Sequence, residues 1–235
     1  MAKEVIVTAD KIYKKKKTYK SLKWILAILL IILIIIFIIL SLVYRGGNFV
    51  ITVDRDLSLE SGIVIYDDKE IKEDKRRLSA RDLDYMDNIT LNWIPKNIDD
   101  ERDGSHNGDN YIAYTFYIEN KGDEKINYWY SVVIDDVIKK VDDAVRIMIY
   151  HNGDRKIYAK KNSYTNKPEK DTIEFFDDKD VIIEKRSDFN PNEVDKFTVV
   201  IWLEGNDPDC VDSILGGQLK MHMEIRKERK LNEKE

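Results

Sequence analysis

The chain has 235 residues, 43% of them hydrophobic and 35% charged, a formal net charge of −5 and a single cysteine. Its length suits one sizeable domain plus an extra element, and its composition excludes an intrinsically disordered chain. With one cysteine no internal disulfide can form, so the fold must rest on core packing or on metal.

Residues 1–23 hold eight lysines against Glu4 and Asp10, a net +6, and make a basic tail. Residues 24–44, WILAILLIILIIIFIILSLVY, contain no charged residue, proline or glycine. As a helix they reach roughly 31 Å, one bilayer crossing. The run is longer than the ~7–15 apolar residues of a secretory signal, and the exit Val43-Tyr44-Arg45-Gly46-Gly47 lacks the small-x-small pattern that signal peptidase reads. An uncleaved, single-pass transmembrane anchor in the plasma membrane is expected, touching membrane lipid through residues 24–44. The lysine excess keeps the N-terminus cytoplasmic and sends the rest of the chain outside. Taking the tail's +6 and the +1 of Arg45 from the chain's −5 leaves −12 on residues 46–235. So acidic an exterior repels phosphate backbones, which argues against nucleic acid as a partner. The run Lys14-Lys15-Lys16-Lys17 then serves topology and attraction to anionic lipid.

From Asn48 the pattern turns from continuous apolar to alternating. FVITVD (49–54) and SGIVIYDD (61–68) read as strands, and KEDKRRLSARDLDYMDN (72–88) as a loop with a short helix. YIAYTFYIE (111–119), the turn Asn120-Lys121-Gly122-Asp123 and INYWYSVVI (126–134) read as a hairpin. Its rings, Tyr111, Tyr114, Phe116 and Tyr117 on one strand and Tyr128, Trp129 and Tyr130 on the other, are expected to pack cross-strand. DDVIKKVDDA (135–144) suits a helical turn. VRIMIYHNGDRKIYAKK (145–161) gives two strands closed by Asn152-Gly153, residues that accept positive φ. TIEFFDD, VIIEKR, FTVVIWLE (197–204) and QLKMHMEI (218–225) continue the series, the last with Leu219, Met221, Met223 and Ile225 on one face. Seven to nine short strands with few helices predict an all-β, antiparallel β-sandwich for residues 46–226. A polar tail, 227–235, is expected to fray.

Gly205-Asn206 and Pro208 must end the 197–204 strand, because proline cannot donate to the ladder and Gly and Asn accept left-handed φ. DPDCVDSILGG (207–217) is therefore a crossing loop. Its aspartates bond backbone amides, Ile214-Leu215 tuck in as an apolar cap, and Cys210 is a small buried residue.

FTVVIWLEGNDPDCVDSILGGQLKMHMEI resembles the closing strand-loop-strand of the TasA/camelysin-like surface proteins. GDNYIAYTFYIENKGDEKINYWYSVVI is similar to their central strands around an Asn-x-Gly turn, and GGNFVITVDRDLSL to their first strand. The resemblance spans roughly residues 46–226, and its most specific part is the segment Trp202-Leu203-Glu204-Gly205 with Asp207-Pro208 and Cys210. It implies a jelly-roll-like sandwich on the surface of a Gram-positive type of cell, in a family that includes biofilm matrix-fibre subunits and a metallo-endopeptidase. No catalytic motif matches, so no residue is carried over as catalytic.

A zinc protease needs converging ligands, typically His-Glu-x-x-His on one helix, and that motif is absent. His106, His151 and His222 fall in a loop, a hairpin turn and a strand. Neither Cys210 nor any serine lies in a recognisable nucleophile elbow. The metal candidate is NIDDERDGSHNGDN (97–110), where Asp99, Glu101 and Asp103 at alternate positions before Gly104 copy the first half of a calcium loop. Position twelve is Asn110 instead of a bidentate glutamate, so a solvated acidic loop is the simpler reading. No cofactor is expected, with calcium or zinc the alternatives to test.

These observations point to a membrane-anchored cell-surface module with a structural or interaction role, touching matrix, cell-wall polymer or a protein partner, and not to an enzyme. The alternatives are a metal-dependent endopeptidase of camelysin type and an accessory subunit of a membrane complex.

Overall fold

The computed structural model describes residues 9–44 and 49–227, and the chain divides into two units, Met1–Gly46 and Gly47–Glu235. All but Lys227 of the tail expected to fray, and the predicted exit at Arg45-Gly46-Gly47, lie outside the described residues. The first unit is one helix, α1 (Ala9–Tyr44). It begins inside the basic tail, where lysine is a good helix former that extends the apolar run backwards. Within it Leu22–Ile39, with a mean hydropathy of 3.3, is long and apolar enough to cross a membrane.

The second unit contains β1 (Phe49–Val53), α2 (Arg55–Ser61), β2 (Ile63–Tyr66), β3 (Arg77–Ser79), β4 (Gly104–Ser105), β5 (Tyr111–Asn120) and β6 (Ile126–Ile138). There follow β7 (Val145–His151), β8 (Asp154–Ala159), β9 (Ile173–Glu174), β10 (Asp180–Phe189), β11 (Val194–Leu203) and β12 (Gln218–Arg226). One sheet runs β10-β6-β12-β1-β3, the other β2-β5-β11-β7-β8-β9 with β4 on β5. The unit is thus all-β apart from α2 and short turns. Pairing is antiparallel except at β1–β12 and β8–β9, which are parallel, so the sheets are not wholly antiparallel as expected. β1 enters between β3 and β12, two strands that reach it from distant parts of the chain.

The inner faces of both sheets share one core, in which Phe49, Ile51, Phe116, Tyr128, Val132, Phe197, Val199 and Met223 meet. Tyr130 of one sheet packs edge-on against Phe197 of the other, with ring centroids 5.0 Å apart. A second cluster covers the outer face of β11, where Ile89, Ile94 and Ile98 from the segment between β3 and β4 lie against Val200 and Trp202. Buried on both faces, β11 reads from Val199 to Trp202 as an unbroken apolar run.

Three local expectations change. β5 and β6 do not form a hairpin; they belong to different sheets, so Tyr114 and Phe116 face Tyr128 and Tyr130 across the core and not along a ladder. The turn between them is an arch. Wholly buried Asn120 donates to Phe189 O at 3.0 Å and Glu124 O at 2.9 Å, and its Oδ1 accepts from Gly122 N at 3.0 Å. A Cβ on Gly122 would lie 2.4 Å from Ser61 O, so only glycine lets the arch close on the α2–β2 corner. Second, the short helix expected in residues 72–88 is replaced by β3, which buries Leu78 beside Ile51 of β1. Third, α2 takes up residues 55–60, assigned to no element, and Ser61, expected in the 61–68 strand: Asp54 Oδ1 accepts from Asp56 N at 2.8 Å and Leu57 N at 3.4 Å, and Gly62 closes the helix at φ +69°.

Candidate binding cleft

β11 stops where Glu204 turns its side chain back. Its Oε2 accepts from Trp202 Nε1 at 3.0 Å and Leu91 N at 3.2 Å, and its Oε1 from Asn206 N at 3.2 Å. Asp207 then makes a side-chain turn, accepting from Asp209 N at 2.8 Å. Its other oxygen, wholly buried, lies 2.5 Å from Arg146 Nη2 on β7, an ion pair without hydrogen-bond geometry. Arg146, itself only 6% exposed at the side chain, also has Glu169 Oε2 at 3.8 Å. Asp209 accepts from both the amide and the hydroxyl of Ser163, and Glu169 from Asn162 Nδ2 at 2.9 Å. The two aspartates flanking Pro208 therefore staple the 204–211 loop to the 162–169 loop, Asp207 through the buried Arg146 guanidinium that also faces Glu169, and Asp209 through Ser163. Glu169, Asp207 and Asp209 offer oxygens within 4.8 Å of one another, but Arg146 and Ser163 already serve them.

Past this staple the chain bounds a cleft at one end of the sandwich. Cys210 is half-buried, not fully buried as expected, and Asn88 Nδ2 lies 3.4 Å from its Sγ. Ile214 tucks in, but Leu215 stays 63% exposed, so only half of the expected cap forms. Gly217 brings the chain so close to the end of β6 that a Cβ there would sit 2.8 Å from both Ile138 O and Ile214 O. Opposite stands the 80–88 loop, pinned where Arg81 N donates to Ser105 Oγ and Asp87 N to Asn110 Oδ1. Between these walls the cleft encloses about 510 Å³ over an apolar floor that includes Ile112, Val145, Ile201 and Met221. Sequence reading missed it because its walls are loops about 120 residues apart.

The predicted metal residues lie elsewhere, at a one-turn 3-10 helix (Ile98–Asp100) and just after it. Asp103 is engaged by the protein, accepting from Tyr117 OH at 2.7 Å and Lys69 N at 3.0 Å. Asp99 is half-buried and Glu101 exposed, and neighbouring Asp100 pairs with Lys196 at 2.7 Å. Among the described residues the group of three possible ligands within mutual ligating distance is Glu169, Asp207 and Asp209.

The histidines occupy three separate settings. His106 has its ring nitrogens against Gly104 O and Ile98 O at 3.0 and 3.1 Å. His222, on the outer face of β12, sets Nδ1 2.8 Å from Asp135, and Glu224 and Asp135 raise its pKa despite partial burial. His151 stacks on Phe197 within a network that joins the sheets. There Tyr130 OH donates to Glu184 at 2.5 Å, and Tyr128 OH and Arg186 Nε donate to Asp195 at 2.6 and 3.0 Å. Burial alone would raise the Asp195 carboxyl, but His151, with Nε2 3.5 Å away, and hydrogen bonds from Tyr128 and Asn152 outweigh it and hold its pKa at about 2. Glu184 is likewise pushed up by burial and brought below its ordinary value by Lys156, Tyr130 and Tyr158. No nucleophilic serine or cysteine is among these bonded groups, which act as a polar clamp between the sheets.

No protein family profile and no curated protein matches the chain. Among solved structures, a beta-glucosidase from Kluyveromyces marxianus in complex with glucose is similar at 10% identity with a TM-score of 0.26. The alignment covers 72% of this chain and 15% of that one. A likeness at that score carries no argument about fold or activity.

Proposed function

We propose that the protein is a membrane-anchored surface module whose β domain makes structural or interaction contacts with matrix, cell-wall polymer or a protein partner. The observation that carries this reading is the cleft: an apolar floor between two loop walls, joined in one chain to a helix apolar enough to span a bilayer. The eight lysines before the span put the N-terminus in the cytoplasm and the β domain outside. A jelly-roll-like sandwich of TasA/camelysin type belongs to the same reading, supported by the two-sheet core and by the β11–loop–β12 unit in which the resemblance is strongest. An accessory subunit is the form of this role in which the partner is itself a membrane protein. The endopeptidase reading ranks below it, because the three histidines are engaged in three different places.

Trypsin added to intact cells tests the topology. It should degrade residues 49–227 and leave an epitope fused before Met1 attached to the α1 fragment. Loss of the epitope, or survival of the β domain until the cells are lysed, overturns it.

A further inference from the structure

The mouth of the cleft gathers exposed hydrophobic side chains around an apolar floor. Tyr85 on one wall, and Val211 and Leu215 on the other, are 69%, 42% and 63% exposed. Folded domains seldom leave large apolar side chains bare around an apolar groove unless something covers them. The volume of about 510 Å³ suits a few residues of an extended peptide.

The lining is also charged on one side of the ledger: Asp84, Asp87, Asp136 and Asp212 against Lys220 alone. Asp84, Asp87 and Asp212 are exposed, and none of the three is held in an ion pair among the described residues. Cationic groups at the ends of an apolar ligand would meet these carboxylates, whereas an acidic ligand would be repelled by them and by the domain's −12.

We propose that the cleft binds an apolar peptide segment flanked by lysine or arginine, presented by a partner protein. The inference rests on the surface-module reading and names its partner's chemistry. Apolar side chains fill the floor at Ile201 and Met221, and the flanking cations lie over Asp84 and Asp212. The floor contributes affinity, while the rim selects the sign of charge.

Cys210 supplies the measurement, since it lines the cleft and is the chain's single cysteine. The full chain is placed in zwitterionic lipid nanodiscs, and the rate of Cys210 alkylation by a maleimide is followed with two capped pentapeptides, Lys-Leu-Phe-Leu-Lys and Glu-Leu-Phe-Leu-Glu. At saturation the first should slow alkylation at least about fivefold, in proportion to the bound fraction, and the second should not. The double variant Asp84→Lys/Asp212→Lys, both sites exposed and outside the core, should reverse the preference while keeping the wild-type circular dichroism. Equal protection by both peptides, protection by neither, or no reversal in a folded variant overturns the proposal. Failure here in a chain that cells display outside removes this inference alone; failure of the trypsin experiment with protection intact removes the location and leaves the cleft's chemistry.

Discussion

Arg146 sits in the middle sheet strand β7 with its side chain 6% exposed, beside an Asp207 side chain that is wholly buried. Such a pair is weak evidence for stability as a pair, but breaking one half leaves the other charge buried and uncompensated. Arg146→Met should therefore destabilise the domain by about 3–5 kcal/mol in urea unfolding, and Arg146→Met with Asp207→Asn should recover part of that loss. A lone arginine in the otherwise apolar run VRIMIY was the visible signal, because a charge in a strand buried on both sides needs a partner. What could not be read was which carboxylates answer it. Glu169 and Asp207 lie in two loops with no local pattern linking them to β7, and the acidic cluster at 97–103 more closely copies a ligand set.

Elements were legible where local chemistry determines pairing. The β7–β8 hairpin follows from Asn152-Gly153, which adopt φ of +52° and +84°. The alternation of β12 placed Met221, Met223 and Ile225 inward, as found. The β5–β6 turn has similar composition but joins two sheets, since an Asn-x-Gly turn reverses a chain without specifying which strand it returns to. The α2 cap was readable in Asp54 and Gly62 but was overlooked behind the strand preceding it. Between β6 and β12, His222 bridges Asp135 and Glu224 on the outer face. Its folded pKa is raised above the ordinary 6.5, so its contribution to stability is complete below pH 6.5 and disappears as pH rises through the folded value. The thermal midpoint should fall between about pH 6 and about pH 9 more in the wild type than in His222→Gln, which lacks the titrating ring. Identical slopes would show that the bridge contributes nothing.

For the whole molecule, the fold class came from the count and spacing of strands, but the sheet order did not, because β1 pairs with residues 25–29 positions further on in β3 and 172 further on in β12. β12 is the centre of its sheet, bonded to β6 on one side and β1 on the other. A chain ending at residue 217 should therefore lose the sheet β10-β6-β12-β1-β3 and melt without a cooperative transition; a sharp melt would show that β6 and β1 can close on each other.

That arrangement also sets a timetable. During synthesis β1 has no permanent neighbour on one side until about 170 further residues have followed it, and closing so long a loop is slow and entropically costly. Until then the apolar face of Phe49, Ile51 and Val53 waits beside β3 alone, an unfinished edge. The last strand to arrive is thus the one that seals the domain, and the interval before it arrives is when a like chain could add to that edge.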